Sequence, residues 1–151
     1  MDKATFILKL QQASTTLFRI AWAMLYSEED CRDAMQETAL KAWQHRGQLR
    51  DERYFATWVT RILINECRGI RRKQHKVILV EEMPESSVPP PDPTLALALR
   101  ALPEHLRLPL VMHCIEGFDY AQIARTLHLP QATVRGRIAR AKEQLRKELS
   151  E

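Results

Sequence analysis

Glycine and cysteine are scarce in this chain of 151 residues, with four of the first and three of the second. So few glycines argue against a Gly-rich loop that cradles phosphate. The cysteines, Cys31, Cys67 and Cys114, are odd in number and far apart, so neither a disulfide framework nor a zinc knuckle fits. We therefore expect a reduced, cytoplasmic protein that holds no metal and needs no cofactor.

Long apolar runs are also absent. No segment approaches the roughly 20 apolar residues that span a bilayer, and the first residues show no cleavable signal pattern, so we expect no membrane insertion. Hydrophobic residues make up 45% and charged residues 28%, with a formal net charge of +4, which is ordinary for a folded soluble protein. The length predicts one domain or two very small ones.

Proline, by contrast, is concentrated in one place. Five of the eight prolines fall between residues 84 and 93, and residues 80–92 carry four acids and no base. This composition excludes a helix and a packed core. It predicts a Pro-rich linker over residues 77–92 between a domain at 1–76 and a second domain at 93–151.

Both domains are predicted to be all-α, because apolar residues recur at helical spacing and no β-like alternation occurs. In the first domain this stripe contains Leu10, Ala13, Leu17, Ile20, Ala21 and Met24. Ser27 with Asp30 has the pattern of an N-cap and predicts a second helix that runs to about Gln44. A third helix is predicted to begin near Asp51. Its apolar stripe is predicted to contain Phe55, Trp58, Val59 and Ile62.

The second domain contains the most specific pattern, over residues 119–142. Asp119 with Gln122 predicts a capping box on a short helix that ends near Leu127. A three-residue turn follows, and Pro130 opens the next helix, which is the helix-turn-helix pattern. At 100° per residue, one side of that next helix is apolar; it contains Val134, Ile138, Ala141 and Leu145.

The opposite side of the same helix is predicted to contact DNA. It contains Gly136, Ala139, Arg140 and Glu143, with Arg135 beside them, and we call these five residues the outer face. Small side chains there let the backbone approach a groove, while arginine reads guanine edges or binds phosphates. A plain solvated basic face is the alternative, and on that alternative Gly136 is only a cost of about 1 kcal/mol.

Two further charged patterns lie in the first domain. A polar row that we call the basic strip suits a nucleic-acid backbone; it contains Arg61, Asn65, Arg68 and Arg72. The second predicted helix instead begins with acids at residues 28–30, 33 and 37. The helix dipole favours some of these acids, but an acidic surface on a nucleic-acid binder implies a separate protein partner.

Across nearly its whole length the chain resembles the extracytoplasmic-function class of bacterial sigma factors. Residues 30–43 are similar to the region 2.2 that binds the coiled coil of the polymerase β′ subunit. Residues 55–65 are similar to the helix that recognises the melted minus-ten element. Residues 102–104, 116–124 and 133–137 are similar to region 4, which reads the minus-thirty-five element.

The resemblance implies a region 2 helical bundle and a region 4 helix-turn-helix, with no catalytic chemistry. Its implied partners are the β′ and β subunits of core RNA polymerase, promoter DNA and an anti-sigma factor. The implied polymerase contacts are Asp30, Asp33, Gln36, Glu37 and Lys41. The implied minus-ten contacts are Arg61, Asn65, Arg68, Arg71 and Arg72. The implied minus-thirty-five contacts are Thr133, Arg135, Gly136, Arg137, Ala139 and Arg140.

Three positions depart from the family pattern. Gly136 stands where the family usually has Ser, Ala132 replaces a common Gly, and Cys31 occupies a position where a small residue is usual. The first departure removes a side-chain contact and therefore bears on promoter preference.

Two other classes of protein remain as alternatives. A one-component helix-turn-helix regulator needs a dimerisation surface or ligand pocket in the first domain, and it has no use for a second basic strip. An enzyme is disfavoured because no catalytic motif occurs. The five histidines are scattered; they are His45, His75, His105, His113 and His128.

Overall fold

A computed structural model of the chain describes residues 1–77 and 93–150. Within those residues every regular element is helical, which confirms the all-α prediction. The chain divides into an amino-terminal unit, Met1–Ser87, and a carboxy-terminal unit, Val88–Glu151. The predicted linker lies outside the described residues, apart from Val77, which is the last residue of a helix.

Over residues 1–77 the amino-terminal unit is a bundle of three helices that all pack on one another: α1 (Lys3–Leu25), α2 (Glu28–Gln44) and α3 (Phe55–Val77). Asp2 caps α1 by accepting a hydrogen bond of 2.7 Å from the Thr5 amide. The predicted apolar stripe of α1 faces the core. Leu17, Ile20, Ala21 and Met24 are buried, and Leu10 and Ala13 are half-buried.

Helix α2 begins and ends where the sequence predicts. The Ser27 hydroxyl accepts a hydrogen bond from the Asp30 amide, and the helix ends at Gln44. All the side chains on its buried side are small; they are Cys31, Ala34, Thr38 and Ala42. Small side chains allow α2 to pack closely against both α1 and α3.

The predicted start and apolar stripe of α3 both need correction. Asp51 caps a 3₁₀ turn, Glu52–Tyr54, and α3 begins only at Phe55. Ile62 is half-buried, whereas the next residue, Leu63, is fully buried. The core side of α3 is therefore turned by one residue from the prediction; it contains Phe55, Val59, Thr60, Leu63, Ile64 and Cys67.

In the described part of the carboxy-terminal unit, residues 93–150, there are four α-helices: α4 (Pro93–Ala101), α5 (Glu104–Leu110), α6 (Tyr120–Leu127) and α7 (Gln131–Ser150). Helix α7 packs against the other three. Pro103 is the N-cap of α5. Pro109 lies inside α5, and a π turn follows at Val111–Ile115. A proline removes one helical N–H donor, so the regular α-helical pattern changes at this point.

Candidate nucleic-acid interface

Helices α6 and α7 form the predicted helix-turn-helix. The Asp119 carboxylate accepts a 2.7 Å bond from the Gln122 amide, and the Gln122 side chain accepts a 2.9 Å bond from the Asp119 amide. This capping box fixes the start of α6. The turn between the helices uses His128 in the left-handed conformation, with φ of 57°. The Pro130 carbonyl then accepts the first bond of α7, from the Val134 amide.

The two sides of α7 separate as the sequence predicts. Val134, Ile138 and Ala141 are buried, and Leu145 is half-buried. All residues of the outer face are exposed. The two other predicted minus-thirty-five residues, Thr133 and Arg137, lie at the edges of that face and are half-buried. All six predicted residues thus lie on or beside one exposed surface.

Gly136 has no packing role in the described structure. A Cβ atom added there would meet nothing within 4 Å. Its φ is not positive, because Gly117 is the one positive-φ glycine among the described residues. Neither crowding nor backbone geometry therefore requires glycine at the centre of α7. A ligand that approaches the helix backbone closely does give such a requirement.

The basic strip of α3 is also exposed along its whole length. Arg61, Asn65, Arg68 and Arg72 all face solvent, and they lie opposite the fully buried Leu63 when counted at about 100° per residue. Arg71, the fifth predicted minus-ten residue, is half-buried. Four of the five predicted residues therefore form one continuous row.

An exposed acidic face lies along α2. Asp33, Gln36 and Glu37 are exposed on the side opposite the buried stripe. Leu40 lies one turn further on and is 58% exposed, so the acidic face contains an apolar side chain at its end. The sequence analysis did not single out Leu40. Its signal was an apolar residue on the polar side of the helix.

The two remaining predicted polymerase contacts on α2, Asp30 and Lys41, are bound to α3. The Gln74 amide donates a hydrogen bond to the Asp30 carboxylate. Lys41 forms an ion pair with Glu66, whose hydrogen bond and charge raise the pKa of Lys41. These contacts hold the two ends of α2 against α3.

Residues 1–77 and 93–150 contain neither a candidate metal site nor a candidate membrane-spanning helix. No group of three or more His, Cys, Asp or Glu side chains lies where it can hold a metal ion. None of the described helices combines the length and the apolar character needed to cross a membrane.

The architecture and its basic faces define the class of the molecule. Two small helical units, one carrying a basic strip and the other a basic helix-turn-helix, are the arrangement of a nucleic-acid-binding protein. Comparison with known families narrows this class. Residues 10–77 match the family model described as Sigma-70 region 2, and residues 94–145 match Sigma-70, region 4.

Curated relatives give the same family, and a solved structure has a similar fold. The RNA polymerase sigma-H factor of Pseudomonas aeruginosa is 28% identical over 98% of this chain and 88% of its own length. The ECF RNA polymerase sigma-E factor of Haemophilus influenzae is 30% identical over 79% of this chain and 74% of its own. In fold, the chain is similar to the sigma factor RpoE crystallised with the anti-sigma factor NepR from Bartonella quintana. That likeness has a TM-score of 0.83 and 21% identity over 97% of each chain.

The chain therefore belongs to the ECF sigma factors of RNA polymerase, within the sigma-70 family. Its function is promoter recognition and initiation of transcription, as the sequence predicted. The family is one of transcription initiation factors, which decides against the alternative of a one-component regulator.

Proposed function

We propose that this sigma factor contacts core RNA polymerase through the acidic face of α2 and promoter DNA through α3 and α7. The observation that carries the proposal is the separation of charge within one small unit. The acidic face of α2 is exposed, and the basic strip is exposed on a different helix, α3. DNA is repelled by the first surface and attracted by the second, so the two surfaces serve different partners.

In the polymerase contact, Asp33, Gln36 and Glu37 supply the exposed polar groups and Leu40 supplies an apolar anchor. Asp30 and Lys41 flank this surface and hold α2 against α3 through Gln74 and Glu66. They therefore support the contact by keeping α2 in place. The β′ and β subunits of the polymerase are the proposed partners.

Charge reversal tests this assignment. We expect Asp33→Lys and Glu37→Lys to weaken binding to purified core polymerase at least 10-fold in a titration, because like charge then opposes the partner. Glu52→Lys is the matched control, since Glu52 is an exposed acid of the same unit outside the acidic face. Equal affinity of Glu37→Lys and Glu52→Lys for the core enzyme would refute the contact.

We further propose that the basic strip holds the displaced single strand of the minus-ten element. Its arginines neutralise the phosphate backbone, and the Asn65 amide is placed among them to hydrogen-bond an extruded base. Arg71 lies beside the strip, half-buried. A regulator that binds only duplex DNA has no use for this second surface.

The test separates strand opening from initial binding. With core polymerase present, we expect Asn65→Ala to reduce the permanganate reactivity of thymines in the bubble more than it reduces affinity for closed duplex. Gln12→Ala, which removes an exposed amide from α1, is the control and should leave both unchanged. A normal bubble in Asn65→Ala and in an Arg61→Ala/Arg68→Ala double variant would show that the strip is only a solvated face.

The outer face of α7 is proposed to read the duplex of the minus-thirty-five element, with Thr133 and Arg137 at its edges. We also propose domain limits of 1–76 and 93–151 with residues 77–92 as a linker, action in the cytoplasm, and no catalytic chemistry. An anti-sigma factor is a further proposed partner. It is supported by two solved structures of similar fold, RpoE with NepR and CnrH with the cytosolic domain of CnrY.

A further inference from the structure

One arginine of the outer face is already in contact with another helix. The Arg135 guanidinium carbon lies 5.4 Å from the centroid of the Tyr120 ring. That distance is within the roughly 6 Å over which a cation is attracted to an aromatic face. Tyr120 is the first residue of α6, so the contact joins the two helices of the helix-turn-helix across the turn.

Tyr120 is itself held from two directions. Its backbone follows Asp119, whose capping box with Gln122 fixes the first turn of α6. Its ring stacks on His113, with centroids 4.6 Å apart and planes 22° apart. The His113 Nδ1 lies 2.8 Å from the Phe118 carbonyl oxygen. Because a carbonyl only accepts hydrogen bonds, Nδ1 carries the proton and donates it, which fixes the orientation of the imidazole.

A second arginine of the same face lacks this support. Arg140 is exposed, and within the part of the chain that the structure describes it has no contact with an aromatic ring. A free arginine loses rotamer freedom when it binds a base, and this loss lowers affinity. Arg135 has already lost part of that freedom in the unbound protein, so the two arginines differ in preorganisation.

We propose that Tyr120 is a positioning residue for Arg135, so that base preference at the contact made by Arg135 depends on the Tyr120 ring. Tyr120 acts through the guanidinium and not through its own hydroxyl. His113 supports the ring from the π turn. This inference rests on the proposed function of α7 as the reader of duplex DNA.

The experiment is a double-mutant cycle on the full chain bound to core polymerase. The probe is a duplex selected by the wild-type complex from a pool with a randomised upstream element. Tyr120→Leu removes the ring, and Tyr120→Phe keeps the ring and removes the hydroxyl. Each is made alone and together with Arg135→Ala, and affinity and base preference are measured. Arg140→Ala replaces Arg135→Ala in a matched control cycle.

We expect Tyr120→Leu to weaken binding about 2–10-fold, the range of an exposed cation–π contact and of one preordered side chain. In the Arg135→Ala background, Tyr120→Leu should cause no further loss of affinity. In the Arg140→Ala background, Tyr120→Leu should lower affinity by the same factor as in the wild type. Tyr120→Phe should bind like wild type. Selection with Tyr120→Leu should relax base preference only at the position that Arg135→Ala also relaxes.

Three results would overturn the inference. If Tyr120→Leu lowers DNA affinity by the same factor with Arg135→Ala as without it, Tyr120 acts on DNA or on folding independently of Arg135. If Tyr120→Phe binds the duplex as weakly as Tyr120→Leu, the Tyr120 hydroxyl contacts the DNA itself. If Arg135→Ala binds the selected duplex like wild type, the proposed role of α7 fails and the inference fails with it. The first two results leave the role of α7 intact.

Discussion

At the residue scale, the position of each cysteine in the fold determines how reactive its thiol is. Cys31 and Cys67 are fully buried in the amino-terminal unit, while Cys114 is exposed in the carboxy-terminal unit. Burial raises the pKa of the Cys31 thiol to about 12. The thiolate is the reactive form, so at pH 8 Cys31 remains a neutral thiol that reagents cannot reach.

This difference predicts selective labelling. At pH 8 the native chain should react with a thiol reagent at Cys114 quickly and at the other two cysteines only after denaturation. Ellman's assay, followed by mass spectrometry of the labelled peptides, measures this directly. In Cys114→Ser the fast phase should vanish. A fast phase that persists in that variant would mean that the bundle opens readily around α2 and α3.

At the scale of elements, the glycine at position 136 lowers the stability of α7. Glycine in an exposed helix interior costs about 1 kcal/mol relative to alanine, and nothing near Gly136 opposes a larger residue. Gly69 in α3 is a comparable case. A Cβ there would meet only the Arg72 Nη2 atom, at an ordinary 3.8 Å.

Gly136→Ala should therefore raise the free energy of unfolding by about 0.5–1 kcal/mol and weaken binding to the selected upstream duplex. Gly69→Ala should stabilise by a similar amount and leave that duplex affinity unchanged. Urea unfolding and a DNA titration of both variants provide the comparison. Unchanged duplex affinity in Gly136→Ala would rule out close approach of the α7 backbone to DNA.

Local chemistry made several elements predictable from the sequence. Ser27 and Asp119 each carry their capping partner within three residues, so the starts of α2 and α6 depend on neighbours in the chain. The exposed and buried sides of α7 followed from one apolar residue per turn. The residues of the outer face could be predicted for the same reason, without knowledge of the tertiary structure.

Elements that depend on distant contacts were not predictable in the same way. Ile62, Leu63 and Ile64 form an apolar run, so periodicity alone cannot decide which of them faces α1 and α2. The Asp30–Gln74 contact joins residues 44 apart, and Lys41–Glu66 joins residues 25 apart. The Tyr120–Arg135 contact likewise depends on how α6 packs on α7. No local rule specifies any of these pairs.

At the scale of the molecule, each unit has its own apolar core. Arg107 is the one arginine among the buried residues of the described chain, at 7% exposure. Its Nη1 donates to the Leu102 carbonyl at 2.7 Å and to the Arg100 carbonyl at 3.3 Å. These are carbonyls at the end of α4, where helical partners run out.

Arg107→Met should destabilise the carboxy-terminal unit by about 1–3 kcal/mol, because the buried Leu102 carbonyl loses its donor. Hydrogen exchange should become faster at the amides of α5, α6 and α7 and remain unchanged in α1, α2 and α3. Arg146→Met, at an exposed position of α7, is the control and should change neither. Faster exchange throughout the chain would mean that the two cores unfold as one.

The two contacts that hold α2 on α3 also have a consequence for accuracy. Asp30–Gln74 and Lys41–Glu66 fix the helix proposed to grip the enzyme to the helix proposed to hold the opened strand. Both tasks then belong to one pair of packed helices, so these contacts help to keep the span between the two surfaces constant from one initiation event to the next. These side chains would then help to set the nucleotide at which an RNA chain starts, and a looser α2–α3 pair would start RNA over a wider range of neighbouring nucleotides.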